Sequence, residues 1–259
     1  MRIFVIKRRT IMIFSAILAG YLAVMTVIFG GYGGITAAIS PKKKIPIYCV
    51  DKTEKVIAIS FDAGWGNEDT QQLIDILAKY KVKATFFLVG TWVDSYPESV
   101  KALFEAGHEI MNHSNKHKNM PALSKQGIIE DIEECNKKIE AITGVRPTLF
   151  RPPSGAYNNT LIDAVAGINM YTIQWDVDSH DWMKKSKEYI IDRVTKRVKP
   201  GSIVLFHNAA ENTPEALPDI IETLLADGYK FVPISELIYK DNYTIDHTGR
   251  QISSADKPR

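Results

Sequence analysis

The chain has 259 residues, 24% charged and 45% hydrophobic, a balance that excludes disorder and suits one sizeable domain with an appendage. Basic residues number 32 and acidic residues 30, so the net charge of +2 lacks the strong positive field of a nucleic-acid binder and predicts no nucleic-acid partner. The two cysteines, Cys49 and Cys135, have no metal-ligand spacing, and the sequence leaves open whether they pair outside the cytoplasm.

Arg2, Lys7, Arg8 and Arg9 precede a stretch without charge from Thr10 to Pro41, with the apolar core IMIFSAILAGYLAVMTVIFG at residues 11–30. A bilayer-spanning helix needs about 20 apolar residues, whereas a signal-peptide core runs to about 7–15. The length predicts a single-pass membrane anchor, with a cleaved signal as the alternative because ITAA at 35–38 has the small residues of a cleavage site. Lys42, Lys43 and Lys44 follow the apolar run and blur the charge bias that would set its orientation. Either reading places the rest of the chain outside the cytoplasm if the N-terminus stays inside. Residues 1–46 are therefore read as basic segment, anchor or signal, and linker.

From residue 47 to 243, short β-branched runs alternate with longer amphipathic ones. Strands are predicted at VIAISF (56–61), ATFFLV (84–89), HEIMN (108–112), TLFR (148–151), MYTIQW (170–175), SIVLFH (202–207) and KFVPI (230–234). Between them NEDTQQLIDILAKYK aligns Leu73, Ile76, Leu77 and Tyr80 on one helical face. SKQGIIEDIEECNKKIEAITG opens on Ser124 and stops at Gly144, and TPEALPDIIETLLADG opens with Thr213 as the cap and Pro214 in the first turn. Strand–helix repetition at this spacing predicts an α/β domain, a distorted (β/α) barrel of about seven parallel strands. The polar tail at 244–259 is predicted to be loose.

The polar residues fall at one end of these strands. Asp62 follows the first, His113 the third, Arg151 ends the fourth, Asp176, Asp178 and Asp181 follow the fifth, and His207 ends the sixth. A lone strand-end aspartate is commonly a turn former. Convergence of five strand ends on the carboxyl face points instead to an active site. HSNKH (113–117) spaces two imidazoles for chelation, although such a pair by itself also describes two exposed loop residues. In FRPPSGAYN two prolines stiffen the chain after Arg151, and the loop can aim the Ser154 N–H at a ligand oxygen. WDVDSHDW crowds three acids between Trp175 and Trp182, a lining suited to sugars and also to an ordinary core.

Taken together, SFDAG, GHEIMNHSNKH, RPPSG, DSHDW and IVLFH resemble the ordered motifs of the NodB-type polysaccharide deacetylases, carbohydrate esterase family four. The resemblance runs over roughly residues 50–240, and the extended FDAGWGN and the apolar N-terminus look most like its sporulation-type, membrane-anchored branch. It implies hydrolysis of N-acetyl groups on a glycan, peptidoglycan above all. It also implies Asp62 as general base, Arg151 as its partner, and His113 and His117 as ligands of a divalent metal, zinc by preference. His207 becomes the general acid, oriented by Asp178. The Ser154 N–H becomes an oxyanion donor, and Leu205 and Trp182 line the acetyl-methyl pocket.

Two departures stand out. Ala63 occupies the place of the family's second aspartate, a metal ligand, so the site is one protein ligand short of the usual three. A third oxygen could come from Asp62, Glu68 or Asp69, or the site could work with fewer ligands or without metal. Ser154 replaces the usual aromatic and removes a wall. The competing reading is a non-catalytic glycan-binding protein with a degenerate metal site, and a weaker one is amide hydrolysis on another extracellular molecule.

Overall fold

The computed structural model describes residues 8–30 and 43–256. Arg2, Lys7, the ITAA stretch and Lys42 lie outside the described residues. The chain divides into two compact units, residues 1–42 and 43–259. The first contains the helix Arg8–Gly30, whose window Arg8–Met25 has a mean hydropathy of 1.4. Its 23 residues extend about 35 Å, enough for a hydrocarbon layer of about 30 Å.

The second unit is an α/β fold. Its strands are β1 (Cys49–Val50), β2 (Val56–Ala63), β3 (Thr85–Leu88), β4 (Glu109–Asn112), β5 (Leu149–Phe150), β6 (Tyr171–Thr172), β7 (Val177–Asp178), β8 (Ile203–His207), β9 (Lys230–Phe231), β10 (Tyr243–Ile245) and β11 (Arg250–Ser253). Seven form a curled parallel half-barrel in the order β6-β5-β4-β3-β2-β8-β7, and β9 pairs with the amino end of β2. Because every neighbour in it is parallel, all carboxyl ends open on one face.

The period of β2 sorts its side chains into two layers. Ile57, Ile59, Phe61 and Ala63 join the outer core with Leu73, Leu77, Leu217 and Ile221 from the surrounding helices. Ala58 joins the inner core with Phe87, Met111 and Ile203. Ser60 and Asp62 share that inward parity, so the strand carries its two polar side chains into the barrel.

The expected strand at 170–175 shrinks to β6, and the WDVDSHDW stretch holds β7, which pairs in register with Val204 and Leu205 of β8. That short edge strand sits inside a stretch read only as acids and tryptophans. Helix Lys125–Thr143 has the predicted ends: Ser124 Oγ accepts the Gly127 amide, and Gly144 turns left-handed at φ 71°. Helix Thr213–Ala226 corrects the expectation for Thr213. Asn212 is the residue before the helix, and the Thr213 hydroxyl donates to Asp181 Oδ2 at 2.8 Å instead of capping.

The tail is a second correction. Residues 243–253 form the antiparallel pair β10–β11, and β11 adds parallel to β1. Gln251 is fully buried, accepting the Tyr239 amide at 2.8 Å and donating to its carbonyl at 2.7 Å. A polar side chain that satisfies backbone groups looks, in sequence, like a loop residue. Both cysteines are buried and free.

Candidate active site

Register places the polar residues. Asp62 at the end of β2 sits beside Phe87 of β3 and His207 of β8. Arg151 follows β5, and its amide donates to the Asn112 carbonyl at 3.0 Å, which brings it to the same level. The Arg151 side chain is fully buried, a position that a cation holds only when paired. Nη1 donates to Asp62 Oδ1 at 2.7 Å, while Nη2 donates to Ser60 Oγ at 2.9 Å and to the Gln174 carbonyl at 3.3 Å. The guanidinium also lies 4.1 Å from the centre of the Phe87 ring. Burial opposes ionisation of Asp62, but the Arg151 charge, with smaller contributions from His113 and His207, outweighs it and holds the carboxyl below its ordinary range.

His113 is buried at the end of β4, and its Nδ1 lies 2.8 Å from the Arg151 carbonyl. A carbonyl only accepts, so Nδ1 carries the proton and Nε2 keeps its lone pair, 3.5 Å from Asp62 Oδ2. Burial lowers the His113 pKa to about 4, so the ring is neutral near pH 7, the form that binds metal. His117 is brought back by a loop, not a helix: Ser114 and His117 have φ of 69° and 50°, and the His117 amide donates to Ser114 Oγ. The two imidazoles meet edge to face, centroids 5.1 Å apart.

These residues fit a divalent cation through two imidazoles, but not through three ligands. Among the described residues, no group of three His, Cys, Asp or Glu side chains comes together to hold a metal. Ala63 is buried with its methyl in the outer core. Asp69 is turned away to accept the Ala209 amide at 2.9 Å, and neither it nor Glu68 lines the cavity.

His207 ends β8 with its Nδ1 on Asp181 Oδ1 at 2.8 Å, and its amide donates to Asp181 Oδ2 at 2.8 Å. Asp181 thus replaces Asp178 as the carboxylate against His207. Asp178 accepts the Trp175 indole N–H at 3.3 Å and the His180 amide at 2.9 Å. His180, left-handed at φ 59° between β7 and Asp181, makes the difference, since it turns the chain so that the second acid of DSHDW meets His207. Burial alone would lower the His207 pKa, but Asp181, then Asp62 and Asp178, raise it. Asp176 leaves the site: it accepts Ser202 Oγ and the Ile203 amide at 2.8 Å each, near the start of β8.

A cavity of about 410 Å³ opens over these groups, and Asp62, His113, His117, Ser154, Asp178, Trp182, Leu205 and His207 line it. Arg151, the remaining predicted site residue, is buried beside Asp62. Ser154 is exposed and left-handed at φ 54°, in a loop whose Gly155 and Ala156 amides go to Pro152 and Pro153. Trp65 and Trp175 also line the cavity, and sequence reasoning assigned Trp65 nothing. Its place three residues beyond Asp62 was the available signal.

The polysaccharide deacetylase family model matches residues 50–173. The peptidoglycan-N-acetylmuramic acid deacetylase PdaC of Bacillus subtilis is 38% identical over 73% of this chain and 40% of its own length. The peptidoglycan-N-acetylglucosamine deacetylase of Bacillus cereus is 38% identical over 73% of this chain and 91% of its own. Among solved structures, a CE4 family pseudoenzyme from Bacillus anthracis superposes with a TM-score of 0.73 at 36% identity, covering 75% of this chain and 69% of that one. A mutant of that protein, described as having restored enzymatic activity, superposes with the same TM-score at 37% identity, covering 75% of this chain and 71% of that one. The chain spans less than half the length of PdaC.

Proposed function

The chain belongs to the polysaccharide deacetylases of carbohydrate esterase family four, and from that footing we propose that it hydrolyses N-acetyl groups on amino sugars of peptidoglycan. The observation that carries the reading is the buried Arg151–Asp62 pair beside the Asp181–His207 pair, on adjacent strand ends that line one cavity. Peptidoglycan is supported by the names of the relatives, and an extracytoplasmic, membrane-anchored location by the apolar helix Arg8–Gly30.

The base Asp62, kept ionised by Arg151, takes a proton from water as the oxygen attacks the acetyl carbon. The Ser154 N–H, on its prolyl-stiffened loop, steadies the developing oxyanion. His207, whose pKa Asp181 raises against the effect of burial, gives its proton to the sugar nitrogen as the C–N bond breaks, leaving acetate and a free amine. Leu205 and Trp182 enclose the methyl group. His113 and His117 would hold a divalent metal, zinc by preference, and when bound it supplies polarisation of the carbonyl and a lower pKa for water.

Acetate release from N-acetylated wall glycan is the test. Asp62→Asn and His207→Ala should each lose it, and variants that release as much as the parent would remove this assignment. The second reading is a glycan-binding protein without turnover, favoured by the missing third ligand at Ala63 and the similarity to a pseudoenzyme. Saturable glycan binding with no acetate at any zinc concentration would select it.

A further inference from the structure

Trp65 has no role in the chemistry above, yet its indole lies over the ring of His207, with centroids 5.7 Å apart and planes inclined by 20°. It is 48% exposed. An exposed indole between two glycines would ordinarily sample several orientations. Here the backbone that carries the indole is fastened from below. Asn208, the residue directly after His207, is buried; its side chain accepts the Gly64 amide at 3.3 Å and donates to the carbonyls of Trp65 at 2.7 Å and Gly66 at 2.8 Å. The Gly66 carbonyl also accepts the Trp92 indole N–H at 2.5 Å. Gly66 is left-handed at φ 55°, and a Cβ there would come within 2.9 Å of the Ala209 Cβ. The loop carrying Trp65 and the turn after His207 are therefore one zipped unit, which holds the Cα atoms of Trp65 and His207 close enough for the two rings to stack.

His207 needs such a constraint. Its bond to Asp181 holds Nδ1, but one hydrogen bond leaves the ring free to tilt about that contact. A stacked aromatic face removes the tilt. We infer that Trp65 is a positioning residue, whose indole sets the plane of His207 so that Nε2 points into the cavity at the sugar nitrogen. The inference rests on the reading of His207 as the proton donor, and it adds a second constraint to the one supplied by Asp181.

The test uses the full chain in detergent micelles, labelled with ¹⁵N-histidine, as parent, Trp65→Leu and Trp65→Phe. The His207 Nδ1–H resonance should be sharp in the parent and in Trp65→Phe, and broadened or exchanged away in Trp65→Leu. An equally sharp resonance in all three overturns the inference. In acetate release, Trp65→Leu should lose at least about tenfold in kcat with KM changed less than about threefold, a loss within the usual worth of a general acid, and Trp65→Phe should recover most of it. A raised KM with unchanged kcat would make Trp65 a substrate contact instead, and equally overturns the inference. If the parent releases no acetate, the deacetylase reading fails, while the resonance comparison still decides the role of Trp65.

Discussion

Asp181 and His207 are joined twice, by Nδ1 to Oδ1 and by the His207 amide to Oδ2, each at 2.8 Å. Asp181 also accepts the Trp182 amide and the Thr213 hydroxyl, so it is held by helix and loop alike. Its removal should act on chemistry more than on binding. Asp181→Asn is expected to lower kcat by about 10²-fold or more, in line with losing the orienting acid of a catalytic histidine. The sign of the pH effect follows from the raised His207 pKa. As the proposed proton donor His207 acts in its protonated form, so activity should be lost as pH rises through that value. Without Asp181 the basic limb should move to lower pH, and Asp178→Asn should move it less. A pH–rate profile for both variants checks this.

Arg151→Met should leave Asp62 buried without its cation. A loss of about 3–5 kcal/mol is expected when one partner of a buried pair is removed. Asp62 is held below its ordinary pKa of 3.8, so its contribution to stability is present above that value and lost as pH falls through the lower folded value. The variant should unfold at lower denaturant at pH 7, and any residual activity should have its acidic limb shifted upward.

Ala63 is the last residue of β2, and Ala63→Asp should add the missing ligand if the new carboxylate turns at the strand tip from the outer core, where the methyl lies, towards His113 and His117. Zinc affinity is expected to rise by about tenfold or more with a third protein bond. Because position 63 is buried, the new carboxylate should lower Tm in chelator and recover it with zinc. Calorimetric titration and thermal melts with and without metal check the two halves. Unchanged affinity would mean that a carboxylate at position 63 stays in the outer core and does not reach the imidazoles.

His108 and His113 both have pKa values lowered to about 4, chiefly by burial, from an ordinary 6.5. Both are neutral in the folded chain while the unfolded chain takes up protons. Their contribution to stability should therefore be full above about 6.5 and fall as pH drops towards 4. His108 Nδ1 accepts the Ala84 amide at 3.3 Å, away from the cavity. His108→Asn, which can still accept but does not titrate, should flatten part of that slope in metal-free unfolding curves.

Truncation after Asn242 should lower Tm, because it removes β10 and β11, exposes the free edge of β1 and leaves the Tyr239 backbone without Gln251. Differential scanning calorimetry of the full chain against the truncation measures it. Equal melting would make the hairpin dispensable.

Much of the site was legible because its signals are local. Two imidazoles four residues apart, an acid at the tip of an apolar run and Arg151 before two prolines keep their meaning in one dimension. The alternation of strand and helix foretold the parallel half-barrel, and parallel strands put all carboxyl ends on one face. Ser124 and Gly144 were readable as helix ends because capping depends on the nearest few residues.

Other features depend on contacts between distant segments. Asp178 and Asp181 are equivalent in sequence, and only the turn after β7 selects Asp181 for His207. Thr213 has a cap's chemistry but spends its hydroxyl on Asp181, 32 residues away. Trp65 acquires its neighbour through strand pairing between β2 and β8, which brings residues more than 140 apart in the chain to adjacent strand ends. The polar hairpin at the C-terminus is ordered by an edge that β1 offers. The sequence by itself determined which chemical groups this protein has and which strand ends carry them. The tertiary structure decided which of them touch, because hydrogen bonds and ring contacts are settled within a few ångströms, a scale that sequence spacing reaches only inside a turn or a helix.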